Sequence, residues 1–122
     1  MPSLVLIAEA DQVLRDRMVD AIAAACDAEV VGAPDGADAL ERWARRAPDV
    51  LVLASGGPVI DGVTAARRAR SGVGRPPMRV VFTDSVPDEV RRPGDAVLAR
   101  PLDLSAFAAT VRDVLAASPG IA

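Results

Sequence analysis

With 122 residues and a net charge of −3, the chain has the length of one domain with a single core. All fourteen basic residues are arginine, and lysine, histidine and asparagine are absent. This excludes a Schiff-base amine, an imidazole base and a histidine-ligated metal. One cysteine, Cys26, excludes an intrachain disulfide or thiolate cluster. Because no stretch resembles a signal peptide or a membrane span, we expect a cytoplasmic protein without membrane contact.

Five short apolar segments without alternation predict strands that are buried on both faces. They are SLVLIA (3–8), AEVVGA (28–33), DVLVLA (49–54), MRVVFT (78–83) and DAVLA (95–99). Segments with helical spacing of apolar residues separate them, which predicts a parallel sheet with helices on both faces. In such sheets functional residues gather at the carboxyl ends of the strands.

Five helices are expected, over 11–25, 35–47, 61–70, a short segment between Pro87 and Pro93, and 103–117. Asp11 and Asp61 are suitable N-caps for the first and third of these helices. Asp49, at the base of the third strand, is interpreted as structural. The domain core is expected over 3–117, with 118–122 as a frayed tail or linker.

The residues around the third, fourth and fifth strands form a familiar pattern. They read PDVLVLASGGPVIDG (48–62), VVFTD (80–84) and LARPLD (98–103). With them the chain resembles a response-regulator receiver domain. The resemblance implies a flavodoxin-like (βα)5 three-layer sandwich, with a five-stranded parallel sheet in the order 2-1-3-4-5 and a shortened fourth helix. It also implies a part in two-component signal transduction, without enzymatic activity.

Most of that family's phosphorylation site is replaced in this sequence. The family's acidic pair corresponds to Glu9 and Ala10, and its phosphate-accepting aspartate corresponds to Ala54. Thr83 matches the family's threonine, and Arg100 stands in place of its lysine. Aspartyl phosphorylation needs a carboxylate nucleophile and Mg²⁺ held by oxygen ligands. We therefore predict a degenerate pseudo-receiver domain with no catalytic residue, no cofactor, and weak or absent Mg²⁺ binding.

The polar residues that remain predict a small pocket in which Asp11 and Asp84 join Glu9, Thr83 and Arg100. In one interpretation Arg100 forms a structural ion pair with Glu9 or Asp84. In the other, Arg100, the Thr83 hydroxyl and the amides of residues 55–57 hold an oxyanion or small ligand. The carboxylates argue against the second interpretation because they repel anions.

These features favour a phosphorylation-independent protein-interaction module. Two alternatives stay open: a regulatory module that binds a small molecule or anion in the vestigial pocket, and a phosphate-responsive regulator with an unusual acceptor. The expected partner is a protein, with a homodimer through the face of the fourth helix, fifth strand and fifth helix as one arrangement. Candidates on this face are Pro87, Arg91, Arg92, Phe107 and Arg112. Residues 61–100 contain eight arginines and five acids, but the absence of interleaved aromatics argues against direct nucleic-acid binding.

Overall fold

The sheet has the predicted strands in the predicted order. The computed structural model describes residues 3–46, 48–54, 64–65, 67–68, 79–84 and 86–117. The strands are β1 (Ser3–Ala8), β2 (Ala28–Ala33), β3 (Val50–Leu53), β4 (Arg79–Phe82) and β5 (Ala96–Val97). Neighbouring strands are parallel throughout, in the order β2-β1-β3-β4-β5. The predicted fold class is confirmed.

Three α-helices lie in the described ranges: α1 (Gln12–Ala25), α2 (Gly36–Arg45) and α3 (Leu104–Ala117). The side chain of Asp11 caps α1 by accepting the Leu14 N–H at 3.1 Å, as its position predicted. Helix α2 ends before the predicted residue 47 because the backbone of Arg46 is already extended. None of these helices is long and apolar enough to cross a membrane.

Parts of two predictions lie outside the described residues. Residues 64–65 and 67–68 are helical, as predicted for the third helix. The remainder of the 61–70 range, with its predicted cap Asp61, is not among the described residues, and neither is the 118–122 tail.

The sheet separates two apolar layers, which explains why its central strands lack alternation. Successive residues of a strand point to opposite faces, and in β3 all four residues are buried. Leu6, Leu51 and Phe82 lie in the layer covered by α2. Val5, Ile7, Val52 and Val81 lie in the opposite layer with residues of α1 and α3. Both faces of the sheet are therefore core.

The fourth helix is reduced to a single 3₁₀ turn, Asp88–Val90, in agreement with the predicted shortening. The buried side chain of Asp95 fixes the chain that follows. Its Oδ1 accepts the N–H of Val80 at 3.1 Å and its Oδ2 accepts the N–H of Arg92 at 2.9 Å. The carboxylate thereby joins the first residues of β4 to the turn before β5.

Asp49 has the same function at the base of β3. Its carboxylate accepts the N–H of Leu4 at 2.8 Å, and its own N–H donates to the Leu4 carbonyl at 2.8 Å. In two places, therefore, an aspartate that precedes one strand accepts the N–H of the second residue of the neighbouring strand. The predicted structural role of Asp49 is confirmed.

Candidate functional site

Polar side chains meet at the carboxyl end of the sheet. Glu9 directly follows β1, Thr83 directly follows β4, and Arg100 lies shortly after β5. Glu9 is 6% exposed and Thr83 is 1% exposed. Ala54 follows β3, which lies between β1 and β4 in the sheet. The structure therefore brings together the residues that the sequence placed at this edge.

Arg100 joins the ends of β1 and β4 through its guanidinium group. Its Nη2 lies 2.8 Å from Glu9 Oε1, and its Nε donates to the Thr83 carbonyl at 2.9 Å. A longer contact of 3.4 Å joins Nη2 to Thr83 Oγ1. Of the two interpretations of this pocket, the structure contains the ion pair, with Glu9 as the partner.

Glu9 is held by two further contacts. Its Oε2 accepts the N–H of Asp11 at 3.0 Å, so both carboxylate oxygens are engaged. Its backbone carbonyl accepts Nη1 of Arg15 at 2.8 Å. The Arg15 stem crosses Gly32 of β2, where a Cβ would lie 3.1 Å from the Arg15 Cγ and Cδ atoms. Gly32 therefore leaves the space through which Arg15 reaches Glu9.

Arg15 is the site residue that sequence reasoning missed. Arg15 does not belong to the apolar positions of α1, and a long arginine side chain can leave the helix surface and reach across a neighbouring strand. A glycine in the adjacent strand was the one available signal.

The described residues of the site do not fit a hard divalent cation such as Mg²⁺. Magnesium requires near-octahedral oxygen ligands, whereas Ala10 and Ala54 provide only methyl groups. Both oxygens of Glu9 are already bonded, and the carboxylate of Asp11 caps α1 at an exposed position. Asp11 caps the helix with its carboxylate and contacts Glu9 through its backbone N–H, and its place in the pocket stays a prediction. Asp84 is partly buried next to Thr83, and residues 55–57 lie outside the described ranges.

Comparison with solved structures gives a consistent result, although no family model and no curated protein matches the sequence. The receiver domain of AraT from Geobacillus stearothermophilus is 27% identical, with 95% of each chain covered and a TM-score of 0.72. The response regulator domain of Thermotoga maritima CheB is 19% identical, with a TM-score of 0.79 over 100% of this chain and 99% of that one. Vibrio cholerae chemotaxis protein CheY4 is 21% identical, with a TM-score of 0.73 over 93% of this chain and 99% of that one.

The chain has the receiver-domain fold. Five parallel strands in the order β2-β1-β3-β4-β5 agree with these neighbours. In this receiver-domain fold, the ion pair of Glu9 and Arg100 lies at the carboxyl end of the sheet. The segments on which the sequence resemblance rests also meet at that end.

The predicted interaction face needs one correction. Pro87, Arg91, Arg92 and Arg112 are exposed and stay candidates for an interface. Phe107 is 0% exposed and packs in the layer between the sheet, α1 and α3. The prediction that Phe107 contributes to a docking surface is therefore wrong, because its ring already belongs to the core of the chain itself.

Proposed function

We propose that this chain is a signalling module of the receiver type that acts by binding a protein partner and is not controlled by its own phosphorylation. The observation that supports this most directly is the ion pair of Arg100 with Glu9, at a site where Ala54 follows the central strand β3. The receiver-domain fold of its structural neighbours supports the signalling role.

The ion pair argues against control by phosphate for a chemical reason. Ala54 has no nucleophile, so the family's transfer reaction has no acceptor at that position. The guanidinium of Arg100, which would neutralise an incoming phosphoryl group, is bonded to Glu9 and to the Thr83 carbonyl. A ligand shifts a conformational equilibrium only by binding one state better than the other. Under the proposal, a protein partner supplies that difference.

The two alternatives have less support in the described residues. The Glu9 side chain is only 7% exposed and faces the guanidinium that an anion would need. Thr83 is 1% exposed, so its hydroxyl is shielded from a phosphodonor. Ser55, the nearest hydroxyl to the strand tip in sequence, lies outside the described residues.

The phosphorylation proposal is tested with Mg²⁺ and the small phosphodonor acetyl phosphate. We expect no change in intact mass and no amide NMR shifts at Glu9, Ala54 or Thr83 of the native chain. Ala54→Asp alone should also fail to give efficient labelling, because Ala10 leaves the metal without a second carboxylate and Arg100 occupies the first. Ala54→Asn is the size-matched control.

Two results would contradict this proposal. One is Mg²⁺-dependent labelling of the native chain, and the other is efficient labelling of the single Ala54→Asp variant. The double variant with Ala10→Asp shows whether restoring the second carboxylate is what labelling requires.

The partner-binding part of the proposal concerns the surface around the 3₁₀ turn. Pro87, Arg91 and Arg92 flank this turn and are exposed, and Arg91 and Arg92 bring two positive charges there. A protein surface with carboxylates, including a second copy of the chain, would complement them.

Light scattering over a concentration series tests the homodimer form of this interface. If copies associate through this face, Arg91→Glu and Arg92→Glu should each raise the dissociation constant, whereas Arg17→Glu on α1 should not. Association that is unchanged by both substitutions would remove this face from the proposal.

A further inference from the structure

A cleft lies between the end of α2 and the strands β1 and β2, away from Glu9 and Arg100. It has a volume of about 180 Å³ and is lined by Leu4, Leu6, Val31, Arg42, Arg45 and Arg46. Leu4 and Leu6 belong to β1 and Val31 to the edge strand β2, so the floor is apolar. The three arginines come from the last turn and the C-cap of α2. The cleft therefore combines an apolar floor with a rim of three arginines, each of which is paired with a carboxylate of the chain.

The three arginines differ in how firmly they are held. Arg46 pairs with Glu29 at 2.6 Å and Arg42 pairs with Asp38 at 3.0 Å. Arg45 lies 3.3 Å from Glu41, and these two side chains are 76% and 66% exposed. An exposed pair of this kind contributes little free energy, so Arg45 can exchange its carboxylate partner at little cost.

We propose that this cleft binds a small amphipathic carboxylate. The apolar part of the ligand lies on Leu4, Leu6 and Val31, and its carboxylate takes the place of Glu41 on the guanidinium of Arg45. Arginine suits this role because its planar guanidinium can donate two parallel hydrogen bonds to a carboxylate. Arg42 and Arg46 keep their present carboxylate partners and border the bound head group.

The volume of the cleft sets the size of the ligand. Pockets for drug-sized ligands have about 300–1,000 Å³, and this cleft is smaller, so the apolar part is a short chain or a single ring. The proposal does not depend on the interaction function proposed above, because the cleft shares no residue with the pair of Glu9 and Arg100.

Trp43 provides a reporter for binding. It is the single tryptophan of a sequence without tyrosine, and it packs in the same apolar layer as Leu6, which lines the cleft. It also lies between Arg42 and Arg45 along α2. We therefore expect a bound ligand to change its fluorescence.

Octanoate is the probe for the experiment, with octan-1-ol and octylamine as controls that lack the carboxylate. Octanoate should give a saturable fluorescence change, shift the amide signals of Leu4, Val31 and Arg45, and raise the melting temperature. Affinity should increase from butanoate to octanoate by up to roughly fourfold for each methylene that the cleft buries. Arg45→Gln should weaken octanoate binding about tenfold, and Arg17→Gln on α1 should leave it unchanged.

Four results would overturn the proposal: no saturable binding of octanoate, equal binding of octan-1-ol, an unchanged affinity in Arg45→Gln, or shifts confined to Glu9 and Thr83. A fall in melting temperature with octanoate would also overturn it, because preferential binding to the unfolded chain lowers stability. Since Arg45 is exposed and at the helix surface, its substitution leaves the fold intact and the test interpretable.

Discussion

The contribution of Arg100 to stability can be estimated from its exposure and contacts. Removing one partner of a fully buried ion pair costs about 3–5 kcal/mol, whereas an exposed pair contributes about 0–1 kcal/mol. The Arg100 side chain is 34% exposed and that of Glu9 is 7% exposed, so this pair lies between the two cases. We expect Arg100→Gln to lower the free energy of unfolding by about 2–3 kcal/mol.

Arg100→Lys separates charge from geometry at the same position. Lysine keeps the positive charge beside Glu9, but one ammonium nitrogen replaces the two fixed guanidinium nitrogens that bond Glu9 and the Thr83 carbonyl. We expect its loss to be smaller, about 1 kcal/mol, because the hydrogen-bond geometry is poorer while the charges remain paired.

Urea unfolding followed by Trp43 fluorescence measures the stability of both variants. If the slope of the free energy of unfolding against urea concentration is unchanged, the substitution has altered stability alone. Arg45→Gln is the matched control, because its ion pair is exposed and its loss should cost less than about 0.5 kcal/mol. If Arg100→Gln cost no more than Arg45→Gln, the reasoning about the buried carboxylate would be refuted. In a double-mutant cycle, adding Glu9→Gln should recover part of the loss.

Three other predictions follow from single residues. Gly94→Ala should lower the free energy of unfolding by about 2–3 kcal/mol, because Gly94 has a φ of 91° and the new Cβ would collide with the Arg79 side chain. A melting temperature equal to that of the native chain would contradict this. Asp95→Ala should cost about 2–4 kcal/mol in urea unfolding through the lost bonds to Val80 and Arg92, and a loss below about 1 kcal/mol would disprove the clamp. Burial raises the pKa of the Cys26 thiol above its ordinary value. The free energy of unfolding should therefore fall as pH rises through that raised pKa, because the fold favours the protonated thiol. Cys26→Ala should remove this alkaline dependence, and identical pH profiles of stability for the two proteins would argue against it.

The sequence predicted the strands well because their boundaries are set by local chemistry. The predicted bounds of β1 and β2 agree with the structure residue for residue, since each apolar segment is bordered by polar or turn-forming residues. The cap at Asp11 was predictable for the same reason, because one side chain and the next few amides form it.

The errors concern side chains whose position depends on the rest of the chain. Phe107 lies on the apolar face of α3, and the same apolar face serves either a core or an interface until the packing of the helix is known. The structure resolves this by burying the ring against α1 and the sheet. For Arg15, helical periodicity gives the direction of the Cβ atom but not the location of the guanidinium several bonds away.

The ion pair of Glu9 and Arg100 illustrates how far the topology rule extends. These residues are 91 positions apart, and the parallel sheet alone was enough to predict that they meet at the same edge. The choice between Glu9 and Asp84 as the partner could not be made from sequence, because both follow strands at that edge. The choice depends on how far the Arg100 side chain extends past the ends of β4 and β3 toward β1.

The charge balance of the site explains why alanine at positions 10 and 54 is compatible with arginine at position 100. A cluster of carboxylates at the strand ends needs an equal amount of positive charge, which a divalent cation and a cationic side chain can supply jointly. With Ala10 and Ala54, Glu9 is the single carboxylate in contact with Arg100 among the described residues, and one guanidinium neutralises it. The planar group also bonds the Thr83 carbonyl through a second nitrogen held in a fixed position. The guanidinium of Arg100 thus neutralises Glu9 and joins the ends of β1 and β4 through side-chain contacts of the chain itself.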